Sequence, residues 1–321
     1  MFVMRVHASD KGDYMSYELG SRLVIGVSSR ALFDLTSENE IFERDGLEAY
    51  CRYQTEHENE ILSPGPGFAL IKALLNLNKL PVRDGADSPL PRVEVIIMSR
   101  NSADTSLRVF NSITHYGLDI TRAVLASGAP LAPYLEAFRT DLFLSAYEDD
   151  VQSAINSNIA AGIICSDGVH HYDTDHIEQI RIAFDGDAVL FSDASEQIFQ
   201  AEGLQAFEEN ERKNAQNPLP AGPFAKFLKT ISDLQRDFPP EKVPIRTALV
   251  TARSAPAHER VIRTLRAWNV RIDEAFFLGG VSKRDVLEAF GAHIFFDDQA
   301  VHTSPASEVV PSARVPYKQN D

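Results

Sequence analysis

The sequence predicts an α/β protein made of two copies of one parallel-sheet unit, the second carrying a helical cap insertion. Three observations predict it: apolar runs alternate with amphipathic stretches, the second half repeats the first at a near-constant spacing, and one interval of the second half is too long for a loop.

Apolar runs suited to buried strands occur at 23–27, 93–98, 123–126, 142–144 and 161–165, and again at 180–184, 247–250, 275–278 and 293–296. Short runs without polar alternation suit strands covered on both faces. Between them, segments such as 105–116 and 258–268 carry apolar residues at helical spacing. Strands alternating with helices imply crossover connections and therefore a parallel sheet.

Setting Val93 against Ile245 and holding that offset of 152 aligns the halves without a gap through Asp150 and His302. Leu135-Glu136-Ala137-Phe138 then falls on Leu287-Glu288-Ala289-Phe290, Gly128 on Gly280, and Arg108-Val109 on Arg260-Val261. Further upstream the register shifts slightly, so that Phe68-Ala69 meets Phe224-Ala225 and Ile25 through Ala31 meets Ile182 through Ala188. The same order of strand, helix, strand, glycine turn, helix and strand marks a duplicated unit. The polar stretch 166–176 is the expected boundary, dividing the chain into units 1–175 and 176–321. Within the second unit, the interval at about 193–244 exceeds what a compact loop needs and is expected to form a helical cap over a site.

A chain of 321 residues, 44% of them apolar, can bury the cores of two domains. Its net charge of −15 and pI near 5.0 oppose a broad contact with a nucleic-acid polymer, while a small phosphorylated metabolite remains compatible. Cys51 and Cys165 are too few for a disulfide framework and favour a reducing compartment. No apolar secretory segment begins the chain and none approaches the ~20 apolar residues of a membrane span, so the cytoplasm is the expected location.

The chemistry is announced by Asp185 and Asp187, separated by Gly186 and placed directly after Ile182-Ala183-Phe184. In open parallel sheets, ligands bind outside the carboxyl ends of the strands, where this pair falls. Three further elements follow: Thr251 ending a strand, Lys283 opening a helix after Gly279-Gly280, and Asp297-Asp298 after Phe295-Phe296. A phosphate monoester is a dianion, and an anionic nucleophile approaches it only where cations neutralise the developing charge. Mg²⁺ takes oxygen ligands from one or two carboxylates together with substrate phosphate. Asp185, Asp297, Asp298 and the main-chain carbonyl of Asp187 are the candidate metal ligands, and Lys283 adds positive charge.

These four elements, in this order, resemble those of the haloacid dehalogenase (HAD) superfamily of phosphatases. The runs from Ser28 to Asp34, from Phe184 to Asp193 and from Phe295 to Gln299 narrow the likeness to the cytosolic 5'-nucleotidase I family, over nearly the whole chain. The resemblance implies Rossmann-like (HAD-like) units and Mg²⁺-dependent hydrolysis of nucleoside 5'-monophosphates, AMP and deoxynucleotides among them. Asp185 then becomes the nucleophile that forms an aspartyl phosphate, and Asp187 the acid and base. Thr251 and the main-chain amides near Gly186 and Ala252 would bind phosphoryl oxygens. Asn217, Gly222 and Lys226 in the insertion are candidate substrate contacts, while Phe191, Phe199, Phe207 and Phe224 either stack on a base or belong to the core. A HAD phosphatase for another small ester, such as a sugar phosphate, and a nucleotide-binding regulatory module without turnover are the rival readings. The assembly state is open.

Under the repeat, Asp185 becomes Ser28, Asp187 becomes Arg30, Thr251 becomes Ser99, Lys283 becomes Leu131 and Asp297 becomes Ser145. The first half is therefore expected to share the fold and to lack catalysis. Ser28, Ser29, Arg30, Ser99, Arg100, Asn101 and Ser127 would gather at its strand tips, either as a decayed copy kept for packing or as a nucleotide effector site. His170, His171, Asp173, Asp175 and His176 read as a solvated linker in preference to a metal site. The run Ser63-Pro64-Gly65-Pro66-Gly67 is either an anion-facing helix start or a simple turn.

Overall fold

The computed structural model describes residues 19–20, 22–80, 92–165 and 178–319. The strands are β1 (Leu23–Val27), β2 (Val93–Ser99), β3 (Arg122–Leu125), β4 (Leu142–Ser145), β5 (Ala160–Ile164), β6 (Ile180–Phe184), β7 (Ile245–Thr251), β8 (Glu274–Phe277), β9 (Ile294–Asp297) and β10 (Ser312–Arg314). They form one ten-stranded sheet in the order β3-β2-β1-β4-β5-β10-β9-β6-β7-β8. Every pairing is parallel except that of β5 with β10, where Ile164 meets Ala313 and Ile163 meets Arg314.

Burial explains the parallel arrangement. Every residue of β1, β2 and β4 is buried, as strands covered by helices on both faces must be, whereas the edge strands β3 and β8 are largely half-buried. The nine expected strands are present within a few residues. Only β10 escaped sequence reading, because Ser312-Ala313-Arg314 makes no apolar run and becomes a strand by docking between β9 and β5. The expected helices also form, at Leu107–His115 and His258–Ala267, and bury Val109, Ile113 and Val261.

Read inward from its own edge, each half has its strands in the same order, and the halves meet at β5 and β10. In both, the first long helical stretch breaks at a glycine: Thr36–Glu56 at Gly46 (φ 82°, ψ −178°) and Ala194–Lys213 at Gly203 (φ 83°, ψ −179°). A side chain is strained in that conformation, so glycine is required there. The next helix in each half crosses to the other: Phe68–Asn76 packs on β6, and Ala225–Gln235 packs on β1. One cluster of buried side chains accordingly runs through both halves, from Leu23 to Val315.

Of the interval expected as a cap, Ala225–Gln235 buries Phe227, Leu228 and Ile231 in this shared core. Only Ala194–Lys213 stands apart, burying Ser195, Phe207 and Glu211. In the Ser63 to Gly67 run, the N–H groups of Gly65 and Gly67 donate to Leu32 O and Ala31 O at 2.9 and 2.8 Å, so both are occupied within a turn. The expected boundary at 166–176, with its histidines, lies outside the described residues, as does the start of the chain. No helix among the described residues is long and apolar enough to cross a membrane.

Candidate active site

β6 lies between β7 and β9, parallel to both, with Phe184 in register with Leu249 and Phe296. The residues following these strands therefore emerge at one edge of the sheet. Asp185 is anchored there by its N–H, which donates to Phe296 O at 2.8 Å. Lys283 opens the helix Lys283–Phe290, capped by the Ser282 hydroxyl. Its ammonium donates to Asp185 Oδ1 at 2.7 Å and to Asp297 Oδ2 at 2.6 Å. Asp297 Oδ1 accepts from the N–H of Gln299 at 2.9 Å. Asp298 Oδ2 accepts from the hydroxyl of Tyr317, and its buried Oδ1 has no hydrogen-bond partner among the described residues.

Asp185, Asp297 and Asp298 each offer an oxygen within 4.8 Å of the others, and all three are buried. Burial pushes the Asp185 carboxyl up to about 7 against the pull of Lys283, with Asp297 and Asp187 adding repulsion. Burial likewise lifts Asp297 to about 6 and Asp298 to about 7. It would lower Lys283, but Asp185 and Asp297 outweigh it and hold the ammonium above its usual range. Three buried carboxylates against one ammonium leave uncompensated negative charge, which is costly in a protein interior. The oxygen-only donor set and the orphaned Asp298 Oδ1 fit a hard divalent cation.

Thr251 is buried beside this cluster, and its Oγ1 accepts from the Arg253 N–H at 3.3 Å. A Cβ on Gly186 would stand 3.3 Å from that Oγ1, so glycine keeps the space between the Asp185 turn and the tip of β7 open. Ala252 is exposed on the turn after β7.

Asp187 is held apart from the three carboxylates by a residue that sequence reading missed. Arg253 grips it with a fork, Nε to Oδ2 at 2.8 Å and Nη2 to Oδ1 at 2.6 Å. The remaining arm, Nη1, donates to Glu211 Oε2 at 2.5 Å. Glu211 is fully buried and also accepts from Arg260 at 2.9 Å and from the Ser195 hydroxyl at 2.9 Å. Burial would raise the Glu211 carboxyl, yet Arg253, Ser195 and Arg260 hold it below its ordinary value. Arg253 could have been suspected from its place two residues after Thr251. Glu211 carried no signal, since one acid on a polar helix looks like any other.

The three candidate contacts from the insertion are engaged elsewhere. Asn217 donates to Asn214 Oδ1 at 3.2 Å and accepts from Arg260 at its carbonyl. Gly222 is a close-packing glycine, because a Cβ there would lie 2.3 Å from Phe191 O. Lys226 reaches across to Asp141 in the first half at 3.3 Å. Phe191 and Phe224 are core residues against Trp268 and Phe296, Phe207 is buried under Arg253, and Phe199 is exposed.

At the tips of the first-half strands, Ser28 caps the short turn that follows β1, and Ser29 Oγ lies 3.2 Å from Ser99 Oγ. The Asn101 N–H donates to Ser99 Oγ at 3.1 Å. Ser28, Ser29, Arg30, Ser99 and Asn101 together border a cavity of about 400 Å³ whose lining, among the described residues, contains a single carboxylate, Asp150.

Fold and site together define an α/β protein with a buried acidic cluster at the strand ends of one half and, at those of the other, a cavity lined by hydroxyl, amide and arginine groups. The chain belongs to the 5'-nucleotidase family, whose sequence profile matches residues 15–321. It is 40% identical over 295 residues to cytosolic 5'-nucleotidase 1B of Homo sapiens, a match covering 89% of this chain and 47% of that protein. The chain thus spans about half the length of this curated relative. Among solved structures, histidinol dehydrogenase from Elizabethkingia anophelis aligns over 87% of this chain and 72% of its own, with 8% identity and a TM-score of 0.22, too low to define a common fold.

Proposed function

We propose that this chain is a Mg²⁺-dependent 5'-nucleotidase that converts a nucleoside 5'-monophosphate and water into a nucleoside and phosphate. The observation that carries the reading is the grip of Lys283 on Asp185 Oδ1 and Asp297 Oδ2, which leaves Asp185 Oδ2 with no donor among the described residues. Oδ2 is then the oxygen that attacks phosphorus, forming an aspartyl phosphate while the bond from phosphorus to the ester oxygen breaks. Asp187 gives its proton to the departing nucleoside oxygen. It later takes a proton from the water that attacks the same phosphorus, releasing phosphate and restoring Asp185. A carboxylate that accepts both arms of a guanidinium has no proton to give, so delivery requires Arg253 to open one arm. Thr251 Oγ1 and the amides around Gly186 and Ala252 bind phosphoryl oxygens.

Asp185, Asp297 and Asp298, with the Asp187 carbonyl, would hold Mg²⁺, which when bound offsets the charge of the phosphate dianion. The Ala194–Lys213 helix is the part of the insertion that serves as a cap, and Glu211 ties it to the acid through Arg253. We read the chain as a duplicated unit, a reading supported by the strand order common to both halves and by Gly46 and Gly203. The name of the cytosolic relative supports a cytoplasmic setting.

Phosphate release measured from AMP, dAMP and IMP beside glucose 6-phosphate and ribose 5-phosphate tests the proposal. Nucleotides should be the faster group, and only with Mg²⁺. Faster cleavage of either sugar phosphate than of every nucleotide would reject the substrate class.

A further inference from the structure

The cavity at the carboxyl ends of β1 and β2 takes no part in the chemistry above. Its volume of about 400 Å³ falls within the ~300–1,000 Å³ of small-molecule sites. Its lining includes the apolar and aromatic residues Leu35, Phe42, Leu47, Tyr50 and Met98, with the Phe42 and Tyr50 rings in edge contact. Phe42 and Leu47 are 46% and 64% exposed, so this part of the lining meets solvent. The lining also includes Ser29, Ser99, Asn101 and Ser102, whose side chains carry hydroxyl and amide groups.

Charge decides what would enter. Asp150 is taken by Arg100, whose Nε and Nη2 lie 2.7 and 2.5 Å from Oδ1. Arg30 has no carboxylate partner among the described residues. It donates Nη1 to Asn39 Oδ1 at 2.9 Å and lies 4.9 Å from the centre of the Tyr147 ring. A guanidinium has five donor hydrogens, so most of those on Arg30 remain for an anion. Among the described residues the one carboxylate is already taken by Arg100 and offers a poor start to a Mg²⁺ ligand set, so arginine and hydroxyl groups are what the lining holds out to an anion.

We propose that this cavity binds a phosphorylated nucleoside without a metal, with the phosphate on Arg30 and the neighbouring serines and the base against Phe42 and Tyr50. Phosphate satisfies a guanidinium through charge-assisted hydrogen bonds. A flat ring gains from an aromatic wall that a sugar phosphate would leave uncovered.

Cys51 lines this cavity and Cys165 does not, so alkylation of the two thiols, followed by mass spectrometry on the whole chain in EDTA, gives a site-specific readout. AMP should slow labelling of Cys51 several-fold and leave Cys165 unchanged. Arg30→Gln should raise the AMP concentration needed for protection by about tenfold or more, the weight of a charge-assisted hydrogen bond. Phe42→Ala should act in the same direction, and its partly exposed position spares the core. Unchanged Cys51 labelling at millimolar AMP would overturn the proposal. So would full protection retained in both variants, or protection by ribose 5-phosphate equal to that by AMP.

Discussion

The tips of β6, β7 and β9 and the tips of β1, β2 and β4 stand on the same strand order, yet they hold opposite chemistry. At the first, Asp185, Asp297 and Asp298 crowd around Lys283 and accumulate buried negative charge. At the second, serines and Arg30, which has no carboxylate partner among the described residues, border a cavity whose described lining holds one carboxylate, paired with Arg100. The backbone presents strand ends in both places, and a few side chains decide whether a cation or an anion is drawn in.

Removing the proposed nucleophile should separate the two regions most sharply. Asp185→Asn should lower kcat by roughly 10⁴-fold or more, as loss of a covalent nucleophile does, while AMP protection of Cys51 persists. Phosphate release near the wild-type rate would remove Asp185 from its role.

The buried acid that joins the Ala194–Lys213 helix to Asp187 through Arg253 comes next. Glu211→Gln leaves Arg253 and Arg260 facing a neutral amide, and breaking a buried ion pair costs about 3–5 kcal/mol. Urea unfolding should show a loss of that order, and a change below about 1 kcal/mol would make the network a surface-grade interaction.

The acidic cluster should also impose a pH dependence near neutrality. Asp185, Asp297 and Asp298 have values raised to about 7, 6 and 7 from an ordinary 3.8. In the metal-free protein their contribution to stability is full below about pH 4 and is lost as pH rises through 6 to 7. A divalent cation held by the ionised carboxylates would reverse that loss. Mg²⁺ should therefore raise Tm more at pH 8 than at pH 6.5. Between about pH 4 and 6.5 His293, lowered to about 4 chiefly by burial, works in the opposite sense, its stabilisation fading as pH falls. An equal Mg²⁺ effect on Tm at both pH values would separate the cation from these carboxylates.

The smallest effect tests the likeness of the halves. Gly46→Ala and Gly203→Ala each place a side chain in a conformation that costs of order 1–3 kcal/mol, and neither Cβ would meet an atom within 4 Å. Nearly equal losses in urea midpoint are expected. A large loss at one and none at the other would show that the two kinks do different work.

The carboxylates were legible as a set because each follows directly on an apolar strand, so local order in the chain announces position at the sheet edge. Arg253 and Glu211 were not, since their meaning depends on a helix folding back over the tip of β7. Asn217, Gly222 and Lys226 invited attention by lying in the insertion, but their hydrogen bonds and packing place them in loop, backbone and cross-half contacts.

By itself the chain determined the alternation of strands and helices, the parallel sheet and the identity of the acids and lysine, because apolar periodicity and residue order are local properties. Tertiary structure decided that β10 closes both halves into one sheet, that Ala225–Gln235 belongs to the core, and that Arg253 holds the proposed acid. Those outcomes depend on contacts between residues far apart in sequence, whose geometry no local pattern encodes.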